Sequence, residues 1–446
     1  MSEGDYASRP ENDTGQFPYA FTPAAPTPWC YRFRAEGLRP MACAINALRY
    51  LRKYRRKLYL APREEIACFR AQHRLLTGLG EAPAADGDVR VAMVGDLMWI
   101  ADGWRTFLHP AVLESLNAHP VVLGNLETAV SGSFRVSRPF PEFAWFNADP
   151  ALVTSFSRPD GSATFTALAT VNNHTLDYHD TGARDTLDFL EAQGILHSGV
   201  RRRAEEPTHV TFDAGGVRIG FYAASYGMND PRRWAASRLR INVIPGLAPE
   251  GPARPDLAGV ADALAAMRAD GAEFRVVALH WGFEYEMYPT PRQMQVARDI
   301  VRAGADVILG THPHVQQPVE VLYVNGYERL HPPQADLPPG CLLRDPAGRP
   351  RKAVVFYSLG NFVTAMHTFG CRVGQIQSLS LRRDPAGGGV DWHRPRARLV
   401  YNVRRDPAVE GSRRLALLED WLGEHHEEVS DDLAFLRRHV VAHDGP

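Results

Sequence analysis

The sequence has no run approaching the roughly 18–20 consecutive apolar residues that a membrane-spanning helix requires, and its first residues, MSEGDYASRPENDTGQ, lack the apolar stretch of a signal peptide. A cytoplasmic protein without a membrane span is the expectation. Cysteine is scarce: Cys30, Cys43, Cys68, Cys341 and Cys371 are odd in number, widely spaced and form no C-x-x-C pair. That argues against a disulfide framework and a cysteine-based zinc site, and it fits a reducing compartment. Neither charge is in real excess. Lys and Arg number 50 against 51 Asp and Glu, so the net charge of −1 sets up no global field to draw in nucleic acid or an anionic membrane. Any anionic partner must be held locally. The chain also lacks a Gly-rich phosphate loop and internal repeats.

What is present is ample material for a core, with 446 residues and 45% hydrophobic content. Residues 1–35 are rich in Pro, Ala, Thr and Gly without periodicity, which predicts a flexible lead-in. Residues 36–85 read as a helical extension. Within it, over 44–60, Ile45, Leu48, Leu51, Tyr54 and Leu58 recur at helical spacing while Arg49, Arg52, Lys53, Arg55, Arg56 and Lys57 fill the gaps. Such a basic helix is either a docking surface for an acidic partner, phosphate or lipid, or a solvated helix packed on the main domain. The polar break EAPAADGD at 81–88 marks a boundary.

From 86 to about 405, strands alternate with helices, which predicts an α/β domain. Strands are expected at 89–95, 120–124, 164–169, 195–198, 217–223, 274–280, 306–309, 319–324, 352–358, 374–382 and 397–404, and helices at 182–193, 255–270 and 291–303. The stretch HPPQADLPPGCLLRDPAGRP at 331–350 reads as an inserted loop, and 406–446 as C-terminal helices with one at 412–425.

The chemistry follows from where polar residues fall relative to those strands. Asp96 follows VAMVG, Glu127 follows VVLGN, Asn173 and His174 follow FTALATV, His280 closes RVVAL, and His312 and His314 follow VILGT. Ligands of open α/β sheets bind beyond the carboxyl ends of strands, so these five termini converge in one crevice. His-x-His in extended backbone would present both imidazoles to the same side. Oxygen and imidazole ligands without thiolate suit Mn, Fe, Zn, Co or Ni better than Ca or Mg.

At these residues the sequence resembles the CapA-type family, named for poly-γ-glutamate capsule biosynthesis, a branch of the calcineurin-like metallophosphoesterases. The matching stretches are GDLM (95–98), GNLE (124–127), VNNHTLDYHDTGARDTLDFLEAQGI (171–195), HWGFEYEMYPTPRQ (280–293), GADVILGTHPHVQQPVE (304–320) and FYSLGNF (356–362), with a weaker one at 225–244. The resemblance implies a four-layer αββα sandwich and two divalent metal ions. Asp96 and His314 would lie on one metal, Asn173, His280 and His312 on the other, with Glu127 bridging. It further implies His174 as the catalytic imidazole, Asp177 as its orienting carboxylate, and Glu284 as a supporting or substrate-contacting group. Ser358, Gly360 and Asn361 would form a loop beside the site or a structural turn. Two positions depart from the wider pattern: Met98 stands where the superfamily has a histidine ligand, and His179 stands where the family tends to have glycine.

Two close cations activate water and stabilise charge on oxygen, so hydrolysis of an acyl or phosphoester bond is one expectation, with a peptide or polyglutamate-like substrate preferred. The same Lewis acid acidifies a peptide Cα–H, so epimerisation of a peptide residue is a second. A non-catalytic scaffold that binds polymer or peptide is a third.

Overall fold

The computed structural model describes residues 63–80, 83, 85–137, 145–248, 254–331, 333, 337–383, 389–404, 406, 409 and 413–424. The lead-in at 1–35 and the basic helix at 44–60 lie outside the described residues. Six helices of seven or more residues are labelled: α1 (Arg63–Gly80), α2 (Pro110–Asn117), α3 (His179–Ala192), α4 (Ala258–Ala269), α5 (Pro291–Ala303) and α6 (Leu418–Glu424). The strands are β1 (Val89–Leu97), β2 (Val121–Leu126), β3 (Ala167–Ala169), β4 (Leu196–Ser198), β5 (Val200–Arg201), β6 (His209–Ala214), β7 (Val217–Ser225), β8 (Arg240–Ile241), β9 (Phe274–His280), β10 (Val307–Thr311), β11 (Val319–Val324), β12 (Leu342–Leu343), β13 (Arg351–Phe356), β14 (Asn361–Val363), β15 (Val373–Arg383), β16 (Val390–Val403) and β17 (Arg414–Leu417).

Two sheets carry the fold. One runs β17-β16-β15-β1-β2-β3-β4, with β14 also paired to β1; the other runs β12-β11-β13-β10-β9-β7-β6. In the first, β1 to β4 are parallel neighbours; in the second, β7, β9, β10 and β13 are parallel neighbours. Parallel strands with both faces covered read as continuous apolar runs, and VRVAMVG in β1 and FRVVALH in β9 do so.

The inner faces meet through Met93, Leu123, Val276, Leu309 and Phe356. On the far side of the first sheet, Val94 and Val122 pack against Val112 and Leu116 of α2 and Leu190 of α3. On the far side of the second, Leu279 and Ile308 pack against Leu264 of α4 and Ala297 and Ile300 of α5. This is a four-layer αββα sandwich. Helix α5 shows local and tertiary signals in agreement: Thr290 caps its first turn by accepting from Gln293 N–H, Pro291 opens it, and Gly304 ends it at φ 122°.

Helix α1 falls in the segment read as an extension and is built into the sandwich. Phe69, Leu75 and Leu76 are buried, and the buried Gln72 amide donates to the Val321 carbonyl (3.2 Å) and accepts from Val321 N–H (2.8 Å). A side-chain amide thus completes the pairing of β11 where β12 does not reach.

Two expectations are corrected. Residues 414–417, inside the helix expected at 412–425, form β17, because Leu415 and Leu417 are buried against the first sheet beside β16; the helix begins only at Leu418. The inserted loop at 331–350 contains β12, which pairs with Tyr323 and Val324 of β11. Those residues lie opposite the start of β13, so the described part of this loop returns at the end of the sandwich remote from the strand ends discussed next.

Candidate metal centre

The carboxyl ends of β1, β2, β3, β9 and β10 meet where the two sheets come together. Asp96 lies on β1 and pairs with Asn125 of β2 and with Asn361 of β14. That approach needs Gly95, since a Cβ there would stand 1.8 Å from the Gly360 carbonyl oxygen. The structure brings Asp96, Glu127, Asn173, His174, His280, His312 and His314 together, all buried. His280 Nε2 lies 2.8 Å from Asn173 Oδ1 and 3.5 Å from Glu127 Oε1. His314 Nδ1 lies 2.9 Å from Asn361 Oδ1, 3.6 Å from Asp96 Oδ2 and 3.8 Å from Glu127 Oε2.

Two sets of three ligand atoms, each set within 4.8 Å, emerge: Glu127 with His312 and His314, and Asp96 with Glu127 and His280. Glu127 is common to both. Asp96 and His314, which the resemblance places on one metal, also lie close, at 3.6 Å.

The backbone at His312 and His314 corrects the extended His-x-His reading. Both residues have positive φ, 96° and 59°, so the segment turns sharply and the rings, 5.8 Å apart, converge through the turn. Left-handed conformations at side chains larger than glycine cost on the order of 1–2 kcal/mol, and such strain collects at functional sites. Here it is held by Asp96 Oδ2, which accepts from His312 N–H at 3.1 Å.

The electrostatics of the cluster suit a cation. Glu127 is fully buried and neither carboxylate oxygen has a hydrogen-bond partner among the described residues. Burial, then the neighbouring Asp96 and Glu284 charges, hold its pKa well above the ordinary range. Burial, then His312, His314 and His174, hold that of His280 well below its ordinary value. For His314 burial pulls the pKa down, but contact with Asp96 outweighs it and the net shift is upward. Unpaired carboxylate oxygens among lone-pair-bearing imidazoles and amide oxygens are the donor set of a hard-to-borderline divalent metal, so these residues fit the metal ions expected.

His174 stands at the edge of the cluster. Its Nδ1 lies 2.7 Å from Asp177 Oδ2; a carboxylate only accepts, so Nδ1 carries the proton and Nε2 is presented to the site, 4.0 Å from Glu127 Oε1. Asp177 Oδ2 also accepts from Phe146 N–H at 2.8 Å, and the Phe146 ring stacks on the imidazole at 3.9 Å. Glu284 is buried near enough for its charge to act on both Glu127 and His314.

Ser358 and Gly360 lie in the turn into β14, where Gly360 N–H donates to Ser358 Oγ and Asn361 alone faces His314. Met98 is engaged elsewhere: its sulfur accepts from Thr364 Oγ1 at 3.3 Å. His179 opens α3 at φ 55°, a conformation that glycine adopts without strain.

Four residues of the site were not singled out by sequence reasoning. Asn125 donates to Asp96 Oδ1 at 2.7 Å; Asn229 accepts from Asn173 Nδ2 at 3.2 Å; Tyr226 lies 4.8 Å from the His312 ring; and Phe146 covers His174. Asn125 sits inside the quoted GNLE stretch, two residues before Glu127, where strand alternation gave a signal. Tyr226 and Asn229 sit in the weaker match at 225–244. Phe146 carries no signal, since only tertiary packing brings it to the imidazole.

The αββα sandwich with a ligand cluster at its strand ends defines an α/β protein with a candidate metal centre. Residues 90–366 match the family model "Bacterial capsule synthesis protein PGA_cap", and the chain belongs to that family. It is 29% identical over 204 residues to "Capsule biosynthesis protein CapA" of Bacillus anthracis, covering 45% of this chain and 40% of that protein. It is 33% identical over 203 residues to "PGA biosynthesis protein CapA" of Bacillus subtilis, covering 45% and 42%. The chain thus matches less than half the length of these relatives. A solved structure titled as a novel phosphatase from Mycoplasma pneumoniae aligns at 12% identity and a TM-score of 0.35, over 70% of this chain and 94% of that one. Among the described residues no helix is long and apolar enough to cross a membrane.

Proposed function

We propose that this chain is a metal-dependent enzyme acting on a peptide or polyglutamate-like chain. Its site takes two divalent ions of the Mn, Fe or Zn type, held by Asp96, Glu127, Asn173, His280, His312 and His314. The observation that carries this reading is Glu127, buried with two unpartnered oxygens and shared by both ligand groupings. The printed names of the two CapA relatives support the choice of substrate class.

A cation pair supplies, when bound, a Lewis acid that polarises a substrate oxygen and acidifies water. The chain's own residues do the rest. His174 moves a proton at Nε2, to or from the substrate atom whose charge changes. Asp177 keeps the Nδ1 proton in place, so only Nε2 exchanges, and stabilises the imidazolium. Phe146 excludes water from one face of the ring. Glu284 supports the ligands or contacts the substrate.

The test is His174→Ala, assayed on γ-linked oligoglutamate and on peptides with the metal found in the purified protein. Metal content is expected to hold at the wild-type level while turnover falls by about 10²–10⁴-fold. Undiminished turnover would overturn the role of His174, and a metallated protein with no turnover on any substrate would favour the scaffold reading. The same assay run in D₂O separates cleavage, which yields fragments, from epimerisation, which leaves one deuterium in an intact chain.

A further inference from the structure

The segment between β7 and the short helix Pro231–Ala236 passes the candidate metal centre and is fixed on both sides of it. On one side, Tyr226 N–H donates to the His280 carbonyl at 3.0 Å. On the other, Asp230 caps the short helix by accepting from Arg232 and Arg233 N–H, and the Arg233 guanidinium donates to the Leu176 carbonyl at 3.1 Å and to the Asp177 carbonyl. Between these anchors lies Asn229, which is buried and whose backbone N–H donates to the Asn173 carbonyl at 2.9 Å.

The Asn229 side chain stands between Asn173 and His174. Its Oδ1 accepts from Asn173 Nδ2 at 3.2 Å, and its Nδ2 lies 3.4 Å from His174 Nε2. With Asp177 these residues form a row of contacts whose direction is set from one end. A carboxylate only accepts, so His174 carries its proton on Nδ1, 2.7 Å from Asp177 Oδ2, and has a lone pair on Nε2. That lone pair takes a donor, which turns Asn229 Nδ2 to His174 and Oδ1 to Asn173. Asn229 Oδ1 then takes a donor in turn, so Asn173 Nδ2 faces Asn229 and Asn173 Oδ1 faces His280 Nε2, 2.8 Å away. Reversing Asn229 would set donor against donor and acceptor against acceptor in a buried place. Reversing Asn173 would set two oxygens together and turn an NH2 group towards the ligand cluster.

We propose that Asn229 is a positioning residue of the metal centre: by accepting from Nδ2 of Asn173 it keeps Oδ1, the one atom of that amide able to ligate, turned to the cation. This rests on the metal reading above and adds the residue that orients one of its ligands. Partners that hold the far atom of a ligand in this way typically carry ten- to a hundredfold in metal affinity. Because Asn173 Oδ1 lies beside His280, the effect falls on one ion of the pair.

The experiment is a Co(II) titration of the metal-free full chain, followed by the visible absorption of the bound ion, for wild type, N229L, N229A and N229D. Thermal melting of the metal-free forms checks that each variant is folded. N229L removes both side-chain contacts at similar volume, and N229A does so without adding bulk. N229D keeps an acceptor for Asn173 Nδ2 and gives up only the donor to His174. The backbone bond from residue 229 to Asn173 survives in all three. The expected result is one Co(II) ion held about ten- to a hundredfold more weakly in N229L and N229A, the other within about threefold of wild type. N229D binds both ions within about threefold of wild type and shows the wild-type absorption bands. A residue that merely fills space would give N229D no such advantage over N229L.

Wild-type affinity for both ions in folded N229L or N229A would overturn the role of Asn229 while leaving the metal reading standing. Equal weakening in N229D and N229L would overturn it in favour of plain packing. A wild type that takes up no Co(II) would overturn the metal centre and this proposal together. N229A keeps the test decisive if N229L does not fold.

Discussion

The two ends of the sandwich treat buried charge in opposite ways. At the starts of the parallel strands, every buried charge has its counterpart. Lys352 of β13 reaches across to Asp391 of β16 at 2.6 Å, Arg275 meets Asp306 at 3.1 Å, and Arg351 meets both Asp306 and Asp345 at 3.0 Å. At the carboxyl ends, Glu127 is as deeply buried and has no hydrogen-bond partner among the described residues, with Asp96 and three imidazoles beside it. Paired charges at one end and an unpartnered buried carboxylate at the other are what the proposed metal site would require. The contrast separates polar residues that hold the sheets together from those of the candidate site.

The largest expected effect comes from Glu127→Gln. Turnover should fall by about 10³-fold or more, since both ligand groupings lose their shared member. The metal-free protein should melt a few degrees higher, because an uncompensated buried carboxylate is gone. A calorimetric comparison of metal-free forms checks the second part; a lower melting temperature would mean that Glu127 has a structural partner.

At the paired end the sign reverses. Lys352→Met leaves the buried Asp391 without its cation, with only Tyr327 Oη and Trp392 N–H donating to it among the described residues, and should cost about 3–5 kcal/mol in chemical unfolding, with metal content unchanged; adding Asp391→Leu should recover most of the loss. Gln72→Leu, which leaves the Val321 backbone groups unpaired, should cost about 1–3 kcal/mol with turnover intact.

The smallest effect is a pH dependence. Burial, then the Lys352 charge, pulls the His393 pKa from 6.5 to about 4. Between those values the unfolded chain binds more protons than the folded one, so stability falls as pH drops from about 6.5 towards 4. After allowance for partial exposure, this amounts to about 1–2 kcal/mol. Urea titrations at pH 7 and pH 5 on wild type and His393→Asn measure it, and identical pH dependence in the two would remove His393 as the cause.

Much of the candidate metal site was legible in the sequence because strand-end placement is a local signal. An apolar run followed at once by Asp96, Glu127, His280 or His312 gives both the strand and the direction in which the ligand lies. Alternating strands and helices gave the α/β class, and the family resemblance gave the four-layer sandwich. What escaped reading depended on contacts distant in sequence. Gln72 pairs with Val321 across 249 positions, Phe146 finds His174 only in the folded chain, and the segment 414–417 is a strand because a sheet edge waits for it. The His312 and His314 turn escaped for another reason: a positive φ at a non-glycine residue leaves no trace in hydrophobic periodicity.

The most direct test of the central claim is metal stoichiometry by elemental analysis, on protein purified without chelator or metal-affinity resin, for wild type and Glu127→Ala. The account predicts about two divalent ions per chain in the wild type and fewer than one in the variant. A wild type that binds none after reconstitution, or a variant that keeps both, would contradict it.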